Sequence, residues 1–153
     1  MNTVAERVEY PSDLELKFIR TINASRARVW QAWADIEQVS KWWGPVGFSI
    51  TTHERQFKTG GEWRFLMHGP DGTDYSNRIA YHEVNEGLRL VYDHGSETDP
   101  LMFYVITDFI VCGSSTRIET VMKFRSKEER DTTATYGIPG HASTMGRLEA
   151  LLA

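Results

Sequence analysis

Apolar and polar residues alternate with a two-residue period over 14–22. Leu14, Leu16, Phe18, Arg20 and Ile22 oppose Glu15, Lys17 and Ile19, which predicts a strand. Before it, residues 1–12 read as a polar arm. After it, Asn23-Ala24-Ser25 offers a helix cap, and Val29, Trp30, Trp33 and Ile36 recur at three- and four-residue spacings, predicting a short helix. Asp35 followed by Gln38 resembles a capping box for a second short helix that ends near Trp42, where Gly44-Pro45 stops it. From 48 to 124 the pattern predicts strands over 48–57, 61–68, 74–84, 88–94, 102–112 and 115–124. They are punctuated by Thr59-Gly60-Gly61, Gly69-Pro70-Asp71-Gly72, Asn85-Glu86-Gly87, the stretch 95–100 and Gly113-Ser114. Such close spacing predicts antiparallel hairpins.

The period then switches. Ser126 with Glu129 forms a capping box, and 127–136 is polar and helical. Gly137-Ile138-Pro139-Gly140 predicts an interruption or kink. Beyond it, Ala142, Met145, Leu148, Leu151 and Leu152 make an apolar stripe at helical spacing. A sheet with one apolar face needs a cover, and this last helix is the long amphipathic element available. The expected class is α+β, a curved antiparallel sheet wrapped around a long C-terminal helix, with residues 13–153 as a single domain.

Trp42 and Trp43 sharpen this picture. Neighbouring side chains on a helix point about 100° apart, so two adjacent indoles do not both face one core. One is expected under the first helices and the other on a surface, groove or cavity, where it could gate a pocket or stack on a planar ligand.

Composition changes the picture by exclusion. The 153 residues carry a net charge of -4 and no basic block, which argues against nucleic acid and anionic membranes as partners. The longest apolar stretch, 101–112, contains Asp108 and is far shorter than the roughly 20 residues of a spanning helix. The one cysteine, Cys112, reads as a small buried hydrophobe. No apolar leader precedes the fold, and the expectation is a cytoplasmic protein. The five histidines, His53, His68, His82, His94 and His141, are spread without metal-ligand spacing, so no metal is expected. No nucleophile elbow, phosphate loop or dinucleotide fingerprint occurs, and no cofactor is expected.

Several motifs together resemble the START-like (SRPBCC) superfamily. They are Trp42-Trp43-Gly44-Pro45, then Gly60-Gly61 with Trp63-Arg64-Phe65 and Met67-His68-Gly69-Pro70-Asp71-Gly72, then Asn77-Arg78-Ile79. Glu128-Glu129-Arg130-Asp131, Tyr136-Gly137 and Thr144-Met145-Gly146-Arg147-Leu148 further resemble the branch of homologues of the activator of the 90-kDa heat-shock-protein ATPase. The likeness spans roughly 14–152. It implies a helix-grip (START/Bet v-like) fold with two short helices after the first strand, and a cavity between sheet and helix. Pro139 departs from that branch, which usually keeps this stretch free of proline.

Strand alternation places Trp63, Phe65 and Met67 on one face and Leu88, Leu90 and Tyr92 on another inward face. Ile118, Thr120, Met122 and Phe124 do the same on the last strand. These faces either fill a core or wall a pocket. The expected ligand-binding set is Trp43, Trp63, Phe65, Met67, Tyr81, Tyr92, His94, Phe103 and Met145, with Tyr81 or His94 supplying a hydrogen bond. The helix of that pocket is expected to start near residue 140. Asp93 and His94 face opposite sides of a strand and do not act as a pair. His68 reads as a turn-stabilising hydrogen bond, and Arg125 to Asp131 as a solvated charged face.

Three functions follow. The first is binding of a small hydrophobic or amphipathic ligand, aromatic or lipid-like, in stress response or regulation. The second is a cyclase or dehydratase that moves one proton with His68, Tyr81 or Tyr92. The third is a co-chaperone or regulator-interaction protein, against which 153 residues leave no room for the extra chaperone-binding domain of the eukaryotic activator. A monomer and a homodimer are both compatible with the sequence.

Overall fold

The computed structural model describes residues 6–153. In chain order the elements are β1 (Arg7–Glu9), β2 (Glu15–Ile22), α1 (Arg26–Ala34), α2 (Ile36–Trp42), β3 (Ser49–Arg55), β4 (Glu62–His68), β5 (Asp74–Asn85), β6 (Arg89–Gly95), β7 (Phe103–Cys112), β8 (Ser115–Phe124) and α3 (Lys127–Leu152). The strands form one antiparallel sheet in the order β1-β2-β8-β7-β6-β5-β4-β3. This is the expected helix-grip arrangement. Within the expected polar arm, Arg7–Glu9 pairs with Ile19 to Lys17 of β2, so this part of it is sheet edge. Residues 1–5 lie outside the described residues.

From β3 onward the hairpins follow chain order. The exception is β2, which pairs with β8 in the register Leu16↔Met122 and Phe18↔Thr120. The chain then crosses from β2 to the far edge at β3, and α1 and α2 make that crossing. Ser25 caps α1, its hydroxyl accepting from Arg28 N at 3.2 Å. Asp35 caps α2 by accepting from Glu37 N at 2.9 Å. Trp30 and Trp33 of α1 meet Phe109 of β7 edge-on, at ring separations of 5.2 and 4.9 Å. These contacts hold α1 against β7. Register shifts between Thr52 and Glu54 and between Tyr81 and Glu83 interrupt two ladders, a feature that bends strands.

Four expectations are corrected. The helix is not interrupted at 137–140; α3 runs unbroken through Pro139. Pro139 and Thr135 are both exposed, so the carbonyl that proline leaves without a partner can be solvated. Leu88 is exposed in the β5–β6 turn rather than inward, because its strand begins one residue later. Cys112 is exposed, since it ends β7 in a hairpin that the helices do not cover. Arg130, assigned to a solvated face, is buried: it donates to the Ser12 carbonyl at 2.7 Å and lies 4.9 Å from the Tyr10 ring.

Candidate functional site

Between the sheet and α3 lies a cavity of about 530 Å³, inside the range typical of small-molecule pockets. Its floor comes from β6, β7 and β8. Tyr92 and His94 stand on the first, Phe103, Val105 and Thr107 on the second, Thr120 and Met122 on the third. Each set is spaced by two, so all project from one face of the sheet. The end wall is Trp33, Trp42, Trp43, Gly44 and Pro45, with Met67 of β4. The roof is α3, through Thr132, Thr133, Gly137, Gly140, His141 and Thr144, with Met145 closing the inner end. Tyr136, 78% exposed, stands at the rim.

The cavity exists because this stretch of α3 is lined by small residues. Past it, Met145 and Leu148 are buried and fill the space against the sheet. Over the floor, Gly137 and Gly140 carry no side chain and the threonines carry short ones, so the space between helix and sheet is left unfilled. The cavity-lining stretch of α3 therefore begins at Thr132, before the position near 140 that the sequence suggested.

Trp42 and Trp43 divide as anticipated, with both reaching the end wall. Trp42 is buried, packs edge-on against Trp33 at 4.5 Å and donates from Nε1 to the Ala32 carbonyl at 2.9 Å. Trp43 ends α2 in an extended conformation and is half-buried, with its ring 4.9 Å from Trp63 and 6.2 Å from Phe65. Gly44 follows with φ of 96°, a left-handed conformation that disfavours any side chain. A Cβ there would meet the Met67 methyl at 3.2 Å.

Of the expected set, Trp43, Met67, Tyr92, His94, Phe103 and Met145 line the cavity. Trp63, Phe65 and Tyr81 do not; they are buried behind the wall. Trp63 and Phe65 back Trp43, and the Trp63 indole donates to Thr52 Oγ1 at 3.1 Å. Tyr81 packs between Phe57 and Tyr92. Alternation gave Trp63, Phe65, Met67 and Tyr92 their inward face, though not Leu88. It did not fix how far along the sheet the helix stands away from it. Thr107, Thr120, Gly137, Gly140 and His141 were missed; small residues at inward strand positions and at helical spacing were the signal.

Two of the polar lining residues, Tyr92 and His94, stand on β6. His94 Nε2 lies 2.8 Å from Asn77 Oδ1. The amide of Asn77 is oriented by its own Nδ2, which donates to the Tyr75 carbonyl at 3.1 Å. His94 therefore donates from Nε2. Burial pushes its pKa down to about 4, so the ring is neutral at physiological pH, and what surface it retains faces the cavity. Burial also raises the pKa of Tyr92 and keeps its hydroxyl protonated. Asp93, next in sequence, points away and pairs with His82 at 2.9 Å. His141 stacks on Phe18 at 4.1 Å and is paired with Glu6. Thr107 and Thr120 face each other at 3.3 Å.

His68 lies outside this site. Its Nδ1 meets Asp74 Oδ1 and its Nε2 meets Thr51 Oγ1, both at 2.7 Å, on the opposite face of β4 from Met67. It ties the β4–β5 turn to the edge strand. Arg64, on the same outer face, is clamped by Glu97 at 2.6 and 2.9 Å. Among the described residues no cluster of three or more His, Cys, Asp or Glu could hold a metal, and no helix is long and apolar enough to cross a membrane.

The family model described as Activator of Hsp90 ATPase homolog 1-like protein (AHSA1) matches residues 23–153. The chain belongs to this family. Protein Ms6760 from Mycobacterium smegmatis is 28% identical, with 95% of this chain and 96% of that chain covered and a TM-score of 0.86. The solution structure of a protein from Arthrobacter aurescens matches at 23% identity, covering 97% and 92%, with a TM-score of 0.87. The AHSA1 protein from Silicibacter pomeroyi matches at 18% identity, covering 89% and 95%, with a TM-score of 0.74. The last two likenesses speak for the fold alone. No curated protein matches the chain. Family membership fits a ligand-binding or regulator-type role.

Proposed function

We propose that this AHSA1-family protein binds a small hydrophobic or amphipathic molecule, planar or lipid-like, between the sheet and α3. The observation that carries this reading is the 530 Å³ cavity, walled by indoles, methionines and Phe103, with a few polar side chains among them and no Asp, Glu, Lys or Arg. Trp43, Met67, Tyr92, His94, Phe103 and Met145 would touch the ligand. Trp63 and Phe65 would hold the Trp43 ring in place, and Tyr81 would support Tyr92. Apolar burial supplies the driving force, at about 25 cal/mol per Å² removed from water, before the costs of association.

The adjacency of Tyr92 and His94, with ring centres 6.3 Å apart, keeps an enzymatic reading in view, since two polar groups adjoin inside the cavity. It is the weaker reading. A histidine with a pKa near 4 is a poor base at neutral pH, and His68 is outside the cavity.

The test is a titration of the protein with fatty acids, sterols, flavonoids and polyketide-like aromatics, read by tryptophan fluorescence and melting temperature. A ligand that binds only the folded state raises the melting temperature as it quenches the indoles. Thr120→Trp, which fills the floor, abolishes both responses. Saturable binding that survives Thr120→Trp would place the site elsewhere and overturn the proposal, as would silence across the whole panel.

A further inference from the structure

We infer that the cavity selects an uncharged ligand bearing a hydroxyl, which donates to His94 Nδ1 while accepting from the Tyr92 hydroxyl. This inference rests on the ligand-binding reading and specifies its chemistry.

The Tyr75 carbonyl accepts from Asn77 Nδ2 at 3.1 Å, which fixes the Asn77 amide with its oxygen toward His94. That oxygen, 2.8 Å from His94 Nε2, can only accept, so the imidazole proton sits on Nε2. In the neutral ring Nδ1 is then a bare lone pair. It has no hydrogen-bond partner among the described residues. Two positions before it on the same strand face, the Tyr92 hydroxyl likewise has none. The cavity lining thus carries one obligate acceptor and one hydroxyl that can donate, on rings whose centres lie 6.3 Å apart.

Different ligand groups meet this pair differently. A hydroxyl satisfies both at once, giving its proton to Nδ1 and accepting from Tyr92. An ether or ketone satisfies Tyr92 only and leaves Nδ1 facing a lone pair. A carboxylate does the same and brings a charge. No Asp, Glu, Lys or Arg lines the cavity, and His141 is already paired with Glu6. A carboxylate would therefore lose its hydration without gaining a free cation. A buried acceptor left without a donor is worth about fivefold or more in affinity.

Four probes sharing one ring system isolate the effect: 2-naphthol, 2-methoxynaphthalene, naphthalene and 2-naphthoate, titrated calorimetrically at pH 7.5. The expected order places 2-naphthol about fivefold or more above 2-methoxynaphthalene, with 2-naphthoate weakest. His94→Phe collapses the preference for naphthol over its methyl ether to less than about twofold, by losing naphthol affinity alone. Tyr92→Phe leaves His94 in place; it weakens both the naphthol and the ether and preserves the preference between them. Melting temperature and circular dichroism of each variant verify folding, and Tyr92→Phe carries the test if His94→Phe does not fold.

Naphthoate binding as tightly as naphthol would overturn the inference, as would a naphthol preference unchanged in His94→Phe. Equal binding of naphthol, ether and naphthalene would overturn it while leaving the ligand-binding reading intact. Absence of saturable binding by all four would overturn both.

Discussion

Arg147 of α3 and Gly44, 103 residues earlier, are joined by a 2.8 Å hydrogen bond from Nη1 to the Gly44 carbonyl. The same guanidinium reaches the carbonyls of Trp43, Pro45 and Phe48, at 3.4, 3.3 and 3.2 Å, and Nη2 donates to that of Lys41 at 2.9 Å. It therefore ties the end of α2 and the Trp-Gly-Pro turn to the roof helix. Burial lowers its pKa from the usual arginine value, but the group stays charged throughout the accessible pH range.

Arg147→Met leaves several carbonyls without a donor and is expected to cost about 2 kcal/mol, read from urea midpoints. Arg147→Lys recovers little, because one compact ammonium cannot span the fan of acceptors that a planar fork reaches. If lysine restored full stability, the multiple-carbonyl clamp would not be the source of the effect.

Gly137→Ala is expected to stabilise the protein by about 0.5–1 kcal/mol, since glycine inside a helix carries an entropic penalty. Room exists for the methyl group: the added Cβ would meet only Thr133 Cγ2, at 3.5 Å. A fall in melting temperature would show that the helix needs glycine here for a reason other than space.

His94 predicts an acid-sensitive fold. Its native pKa, about 4, lies below the 6.5 of an unhindered imidazole. Between these values the unfolded chain binds the proton more readily, so stability is present in full above pH 6.5 and falls as pH drops toward 4. The loss is on the order of 3 kcal/mol at most. Urea midpoints at pH 7.5, 5.5 and 4.5 should fall less steeply in His94→Gln, after allowance for the constant cost of the substitution. Equal slopes in both proteins would assign the acid sensitivity to other groups.

Cys112 should react with a thiol reagent in the native protein at a rate close to that of a free peptide thiol, because it sits exposed at the end of a hairpin. Reaction only after addition of denaturant would place it under cover.

Much of the architecture could be read from residue order alone. Ser25 and Ser126 each bind the backbone amide three residues on, as a cap at that spacing should, while Asp35 caps its helix through the amide of Glu37, with Gln38 meeting it by its side chain. The strand faces at Leu16 and Phe18, or Ile118 and Thr120, follow the period of two. Asp93 and His94 do face opposite sides. Where local rules failed, tertiary context had overridden them. Pro139 is a helix breaker by propensity, yet α3 continues through it. Arg130 looks like surface charge by its neighbours, yet Ser12 and Tyr10 fold over it.

The sequence by itself determined most of the elements, most of their inward faces and the family likeness, because periodicity and capping are local properties that a few adjacent residues settle. Whether the inward faces touched or stood apart was a tertiary matter. It depends on residues far apart in the chain, such as Gly137 and Gly140 in the helix and Thr107 and Thr120 in the sheet, where small side chains on both layers leave room that larger ones would fill. The same holds for the polarity of the site: His94 Nδ1 is left as an acceptor because Asn77 Oδ1, on the neighbouring strand, accepts the hydrogen bond from Nε2. A lone pair's direction is set by what lies across the ladder, and no stretch of sequence contains both partners.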